Sequence, residues 1–178
     1  MKSKKIIAAA IIVILIAGGL LYYEFGYNTG GKLKISVADS AGPGVSAVFI
    51  TFTGVDVHST GGNNSSGWHN YNLTATTINI FNVNMTNPSF LSSLSLSAGK
   101  YTQIRLDITK VVATIGGVNA TMTMASQYAI VIHPFTISSH TTTNMVIDFT
   151  LNPASMIATS QFNPVIGAVQ VSSTSSLI

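Results

Sequence analysis

Val48-Phe49-Ile50-Thr51-Phe52-Thr53-Gly54-Val55-Asp56-Val57 decides the fold. Val48, Ile50 and Phe52 recur at every second residue, the period of a β-strand with one buried face. Past Gly54 the apolar parity flips to Val55 and Val57. A simple strand would turn those two valines to solvent, so the glycine marks a β-bulge that restores the inward face.

The same period extends in both directions. Upstream, Leu33, Ile35 and Val37 point inward within Lys32–Asp39, with Lys34 and Ser36 outward, and Ala41-Gly42-Pro43-Gly44 turns the chain. Downstream, Ser59–Gly67 reads as a flexible loop, Trp68–Asn72 and Thr77–Val83 as strands, and Met85–Leu96 as irregular around Pro88. Ala98-Gly99-Lys100 turns into Tyr101–Ile108, where Ile104, Leu106 and Ile108 face in and Gln103, Arg105 and Asp107 face out. Val111–Ile115, Gly116-Gly117-Val118-Asn119 and Ala120–Met124 form a hairpin. Pro134 separates Tyr128–His133 from Phe135–Ser138 and marks an edge or a bend. Met145, Ile147, Phe149 and Leu151 make another inward face, and Val165–Val171 a last strand. No helical period of any length follows Tyr27. Roughly eight to ten short strands predict an all-β chain: a single β-sandwich, immunoglobulin-like or related, over residues 32–171. Trp68 is expected in its core, no helix is expected beyond two turns, and 172–178 is a Ser/Thr tail.

The N-terminus has a different grammar. Lys2, Lys4 and Lys5 precede an apolar run from Ile6 to Tyr23. As a helix that run spans roughly 27 Å, close to the hydrocarbon thickness of a bilayer. A basic head before an apolar run is an export signal, so residues 1–23 are a signal peptide or a single transmembrane anchor helix. Residues 24–31 are a linker or a donor strand. Leu21, Tyr23, Phe25 and Tyr27 alternate with Leu20, Tyr22, Glu24 and Gly26, so cleavage after Ala17-Gly18-Gly19 would leave a sticky apolar strand at the new terminus. Uncleaved, Tyr22 and Tyr23 end the helix in the interfacial belt, and the helix ties the protein to the membrane.

Only 7% of the 178 residues are charged, against about 25% in ordinary soluble proteins. Beyond Tyr27 there are five cations and four anions, a net charge of +1. That leaves no electrostatic footprint for nucleic acid. Cysteine is absent, which removes a lipoprotein anchor, a blue-copper site and a thiol nucleophile.

Ala98-Gly99-Lys100-Tyr101-Thr102-Gln103-Ile104-Arg105-Leu106, together with Lys32–Asp39, Val55-Asp56-Val57-His58 and Val131-Ile132-His133-Pro134-Phe135-Thr136-Ile137, resembles an exported archaeal and bacterial family catalogued as a domain of unknown function. The resemblance spans most of Gly31–Val171. It implies an extracytoplasmic β-sandwich and brings no activity with it. More loosely, export, sandwich and scarcity of charge are similar to archaeal surface-filament subunits.

Chemistry is thinly provided. Gly42-Pro43-Gly44-Val45-Ser46-Ala47 fits G-x-G-x-x-A but leads into a strand, so it is no dinucleotide loop. No G-x-S-x-G elbow occurs, and the four carboxylates of the domain offer no acid–base pair. Arg105 and Asp107, two apart on one strand face, read as an exposed ion pair. His58 and His69 flank the Ser59–Gly67 loop, and a hairpin there would place two imidazoles for Zn²⁺ or Cu²⁺ at its mouth. Against that stands the simpler view of two hydrogen-bonded loop histidines, and no cofactor is implied. Sequons stand at Asn63, Asn64, Asn72, Asn84 and Asn119.

The sequence therefore predicts a non-enzymatic surface protein with a structural or adhesive role. One form is a filament subunit that associates head-to-tail by donating Leu21, Tyr23, Phe25 and Tyr27 to the next copy. The rival form is a membrane-anchored ligand- or metal-binding module.

Overall fold

The computed structural model describes residues 30–39, 44–60 and 67–175. The expected export helix, Leu21, Tyr23, Phe25, Tyr27, Asn63 and Asn64 all lie outside them. Among the described residues no helix is long and apolar enough to cross a membrane.

Eleven strands follow one another: β1 Gly30–Asp39, β2 Ala47–Ser59, β3 Gly67–Asn79, β4 Ser89–Ser97, β5 Gly99–Ile115, β6 Val118–Thr121, β7 Thr123–Met124, β8 Tyr128–Ile137, β9 Thr141–Phe149, β10 Gln161–Phe162 and β11 Ile166–Ser175. One large sheet runs β11-β9-β1-β4; the other runs β3-β2-β5, with β8 and β6 both on the far side of the long β5, and β7 and β10 pair apart from both. β1 and β9 pair in parallel, and β1 pairs antiparallel with β4. The chain thus lays two sheets face to face, the arrangement that lets each bury its apolar face against the other.

The core confirms the inward faces. Leu33, Ile35, Val37, Val48, Ile50, Phe52, Val55, Val57, Ile104, Leu106, Met145, Ile147 and Phe149 belong to one buried cluster fed by both sheets. Phe52 and Phe149 meet with ring centroids 6.2 Å apart. The parity flip is real: pairing of β2 with β3 and with β5 slips between Phe52 and Gly54, so Val55 and Val57 return to the interior at 0% exposure. At the far end of β5, Gly116 and Gly117, with φ of 57° and 82°, turn tightly into β6, as a two-residue hairpin requires.

Five local expectations need correction. Trp68 is half-buried rather than in the core, because its Cα partner is His58, on the outer face. Residues 68–72 and 77–83 are not two strands: β3 is continuous to Asn79, whose Oδ1 accepts from the Val48 and Phe81 backbone N–H groups at 3.2 Å each and starts a 3-10 turn at Ile80–Asn82. Met85–Leu96, expected to be irregular, is a strand from Ser89 on, paired with β1 through Ser97. Residues 101–108 and 111–115 belong to one strand, β5. The last strand continues through Ser175, past the expected tail boundary. One short helix, α1, occupies Pro153–Thr159, within the two-turn limit. Asn152 caps its start with Oδ1 accepting from the Ser155 N–H at 3.0 Å, and Ser160 closes it in the left-handed region at φ 54°.

Candidate functional site

Charge is sorted by strand. All nine charged residues of the domain stand on β1 (Lys32, Lys34, Asp39), β2 (Asp56), β5 (Lys100, Arg105, Asp107, Lys110) and β9 (Asp148). The five edge strands of the two sheets, β3, β4, β6, β8 and β11, carry none. Natural sheets ordinarily guard their edges with charge, proline or bulges. Register slips interrupt the pairing of β3, β4, β8 and β11, and β8 alone adds a proline, Pro134, in line with the expected edge. β11 is ten residues of Ile, Gly, Ala, Val, Gln, Ser and Thr, exposed along most of its length.

β8 and β11 close the same side of the sandwich, and apolar surface collects there. Tyr128, Ile130, Ile132, Val165 and Val171 are five of the nine large hydrophobic residues exposed among those described, Ile132 at 76%. A cleft of about 350 Å³ runs between the two edges, lined by Ile130, Ile132, His133, Ile166, Gly167 and Val169.

The outer face of the other sheet is chemically different. Its strand register sets out two rows: Asn70, Asp56, Arg105 and Ile130, then Asn72, Gly54, Asp107 and Tyr128. The Arg105 guanidinium lies 3.8 Å from the Trp68 ring centroid and 5.9 Å from that of Tyr128, a cation held by two π-faces. The expected ion pair with Asp107 is not made; stacking on Trp68 takes its place. Asn70 Nδ2 donates to Asp56 Oδ1 at 2.6 Å. Asp107 lies against Gly54, where a Cβ would meet its carboxylate. Its Oδ1 is buried without a hydrogen bond. Beside it is a cavity of about 230 Å³ walled by Thr53, Thr109, Gln127 and Tyr128.

Burial pushes the Asp107 carboxyl up from its ordinary range, Asp56 adds to the rise, and Arg105 opposes it. Folding therefore takes up a proton between the unfolded pKa and the raised folded one. Across that window the contribution of Asp107 to stability falls as pH rises. For the bare polypeptide, Asp107→Asn is expected to raise the melting temperature at pH 7 and to leave it nearly unchanged at pH 3. Thermal unfolding of both proteins across that range checks this; a less stable variant at pH 7 would contradict it.

The two histidines are not brought together. His58 pairs with Trp68, while His69 pairs with Val57, so one register position sends the imidazoles to opposite faces of the sheet. His58 Nδ1 and Thr102 Oγ1 are hydrogen-bonded at 3.0 Å, as are His69 Nε2 and Ser59 Oγ. No group of three or more His, Asp or Glu residues poised for a metal ion occurs among the described residues. Of the described sequons, Asn72, Asn84 and Asn119 are all exposed. Asn84 Oδ1 accepts from the Thr86 and Asn87 N–H groups and the Thr86 hydroxyl, and Asn119 Oδ1 accepts from Thr114 Oγ1 at 2.8 Å.

A family model described as a domain of unknown function (DUF4382) matches residues 30–162. No curated protein matches the sequence. Among solved structures the chain is similar to a candidate cell adhesion protein from Bacteroides eggerthii, at 14% identity and a TM-score of 0.36. It is also similar to one from Parabacteroides distasonis, at 11% identity and a TM-score of 0.42. The alignments cover 82% and 84% of this chain. They cover 54% and 53% of the two structures, so the chain spans about half their length.

Proposed function

The chain belongs to the DUF4382 family, and on that footing we propose that it is a structural protein of the cell surface, exported on its N-terminal segment and assembled with its own kind, without catalysis. The observation that carries this reading is the segregation of charge: nine charged residues on inner strands and none on the five edges. An uncharged edge is a template for another strand. The occupant is the segment Leu20–Tyr27 of the next copy. Its alternation would set Leu21, Tyr23, Phe25 and Tyr27 against Ile130, Ile132, Ile166 and Val169 while its backbone pairs with β11. Repeated head-to-tail, such a contact does not close, and it builds a filament. Adhesion is the role a filament of this kind would serve.

Electron microscopy of the full-length protein purified from its own cells tests the reading. Filaments are expected, and Ile132→Lys and Val171→Lys are each expected to abolish them. Both positions are exposed, so thermal unfolding should stay within about 0.5 kcal/mol of the parent. Monomers retained in the membrane by an intact N-terminus, or filaments indifferent to both lysines, would refute it and return the anchored binding module.

A further inference from the structure

We propose that the pocket between α1, β10 and the start of β11 is a binding site for a single neutral sugar ring. It stands at one pole of the sandwich. β1 leaves Gly30, and at its other end Asp39 is level with Phe149 and Ile166. The pocket just beyond them is therefore about 30 Å from the end at which the N-terminal segment joins. On an exported chain held by that segment, this pole faces outward.

The walls are built largely from pieces that belong to neither large sheet. Gln161–Phe162 and Thr123–Met124 form a short parallel pair. The Thr123 N–H donates to the Ser160 carbonyl at 2.9 Å, and the Ala125 N–H to the Phe162 carbonyl at 3.1 Å. On the other side the Thr150 N–H donates to the Val165 carbonyl at 2.9 Å. Asn152 is held by the cap that its Oδ1 makes on α1, which leaves its Nδ2 unspent. Leu151, Met156 and Phe162, all buried, make the floor. These ties fix the walls before any ligand arrives, so little ordering is left for binding to cost. They enclose about 290 Å³, at the lower end of the range of about 300–1,000 Å³ for ligand pockets. That is room for one ring rather than a chain.

The chemistry of the rim selects the ligand. Every residue lining the pocket is uncharged, so an ionic group would lose water there and gain no counter-charge. Asn152, Gln161 and Asn163 bring amides, and Thr150 and Ser155 bring hydroxyls. Gln161, Asn163 and Ser155 make no side-chain hydrogen bond among the described residues, their printed bonds running through the backbone. Amides and hydroxyls both donate and accept. They match a ligand whose own hydroxyl groups do the same around the edge of a ring. Val165, 46% exposed, supplies an apolar wall for the C–H face of that ring. A peptide offers similar polar groups, but strung along a chain longer than the cavity.

Isothermal titration of the purified full-length protein with mannose, glucose, galactose and N-acetylglucosamine tests the site. At least one should bind saturably, with a Kd of about 1–5 mM, the ordinary efficiency of so small a ligand. Gln161→Ala and Asn163→Ala should each weaken that binding about tenfold. Both side chains are exposed, so the melting temperature without sugar should stay unchanged. Tyr128→Ala, on the outer face of the other sheet, should bind like the parent. Glucuronate and galacturonate, which add a charge to the same ring, should not bind over the same range. None of the pocket residues lines the β8–β11 cleft, so the outcome is independent of strand donation. No saturable binding of the four neutral sugars up to about 50 mM would overturn the proposal. So would binding indifferent to both substitutions, or uronates bound as tightly as the neutral sugars.

Discussion

Phe149→Ala is expected to destabilise the domain by about 3–5 kcal/mol, the usual cost of removing a fully buried aromatic ring. Phe149 is at 0% exposure on β9 and packs across the two sheets onto Phe52 of β2, equally buried. The ring is therefore a direct link between the layers, and the cavity left by its loss has walls from both. Urea unfolding monitored by far-ultraviolet circular dichroism would measure the cost. Phe52→Ala should cost a similar amount, and the double variant less than the two added together, since both deletions open one shared space. Additive losses would mean that the rings do not share a core.

Gly31→Ala is expected to cost about 3 kcal/mol, the upper range for overpacking. A Cβ at Gly31 would run into the Ser138 carbonyl oxygen and lie 2.9 Å from both the Thr141 carbonyl oxygen and Ile137 Cγ2. Two of these three atoms belong to the backbone of the turn between β8 and β9, so no rotamer change can give way. The same turn is tied to β1 by the His140 N–H donating to the Gly30 carbonyl at 3.0 Å. Movement of the turn would therefore strain the start of β1, at the center of its sheet. A variant as stable as the parent in the same urea titration would contradict this packing.

Wherever burial repeats strictly every two residues, the strands were legible in the sequence. The pattern misleads where a bulge breaks that period. Leu91 is buried, then Leu94 and Leu96 on the opposite parity; the slip opposite Ile35 and Ser36 reconciles them, but without β1 in view the serine-rich stretch looks irregular. In β5, Ile108 and Val111 are out of phase for the same reason, the register slipping opposite Thr51 and Phe52. Gly54 could be read because a glycine stands at the break; Thr109 and Ser92 give no such sign. The apolar surface of Trp68 argues for the core, but its partner Arg105 stands on β5, with β2 between them. No local pattern records that neighbour. The histidine pair depended on a register finer than the loop between them could reveal. The separation of charged inner strands from uncharged edges was also hidden, because it needs the strand order, although every charge was in plain sight.

Strand exchange between copies can be observed directly, because the chain has no cysteine of its own. In a Phe25→Cys, Val169→Cys variant of the full-length protein, donation predicts a disulfide from the donor segment of one copy to the cleft beside β11 of the next, which requires their Cα atoms to come within about 7 Å. Mild oxidation followed by non-reducing electrophoresis should give a ladder of covalent dimers, trimers and longer chains that collapses on reduction, with both single variants remaining monomeric. A double variant that stays monomeric under oxidation, its thiols free or joined within one chain, would contradict donation from copy to copy.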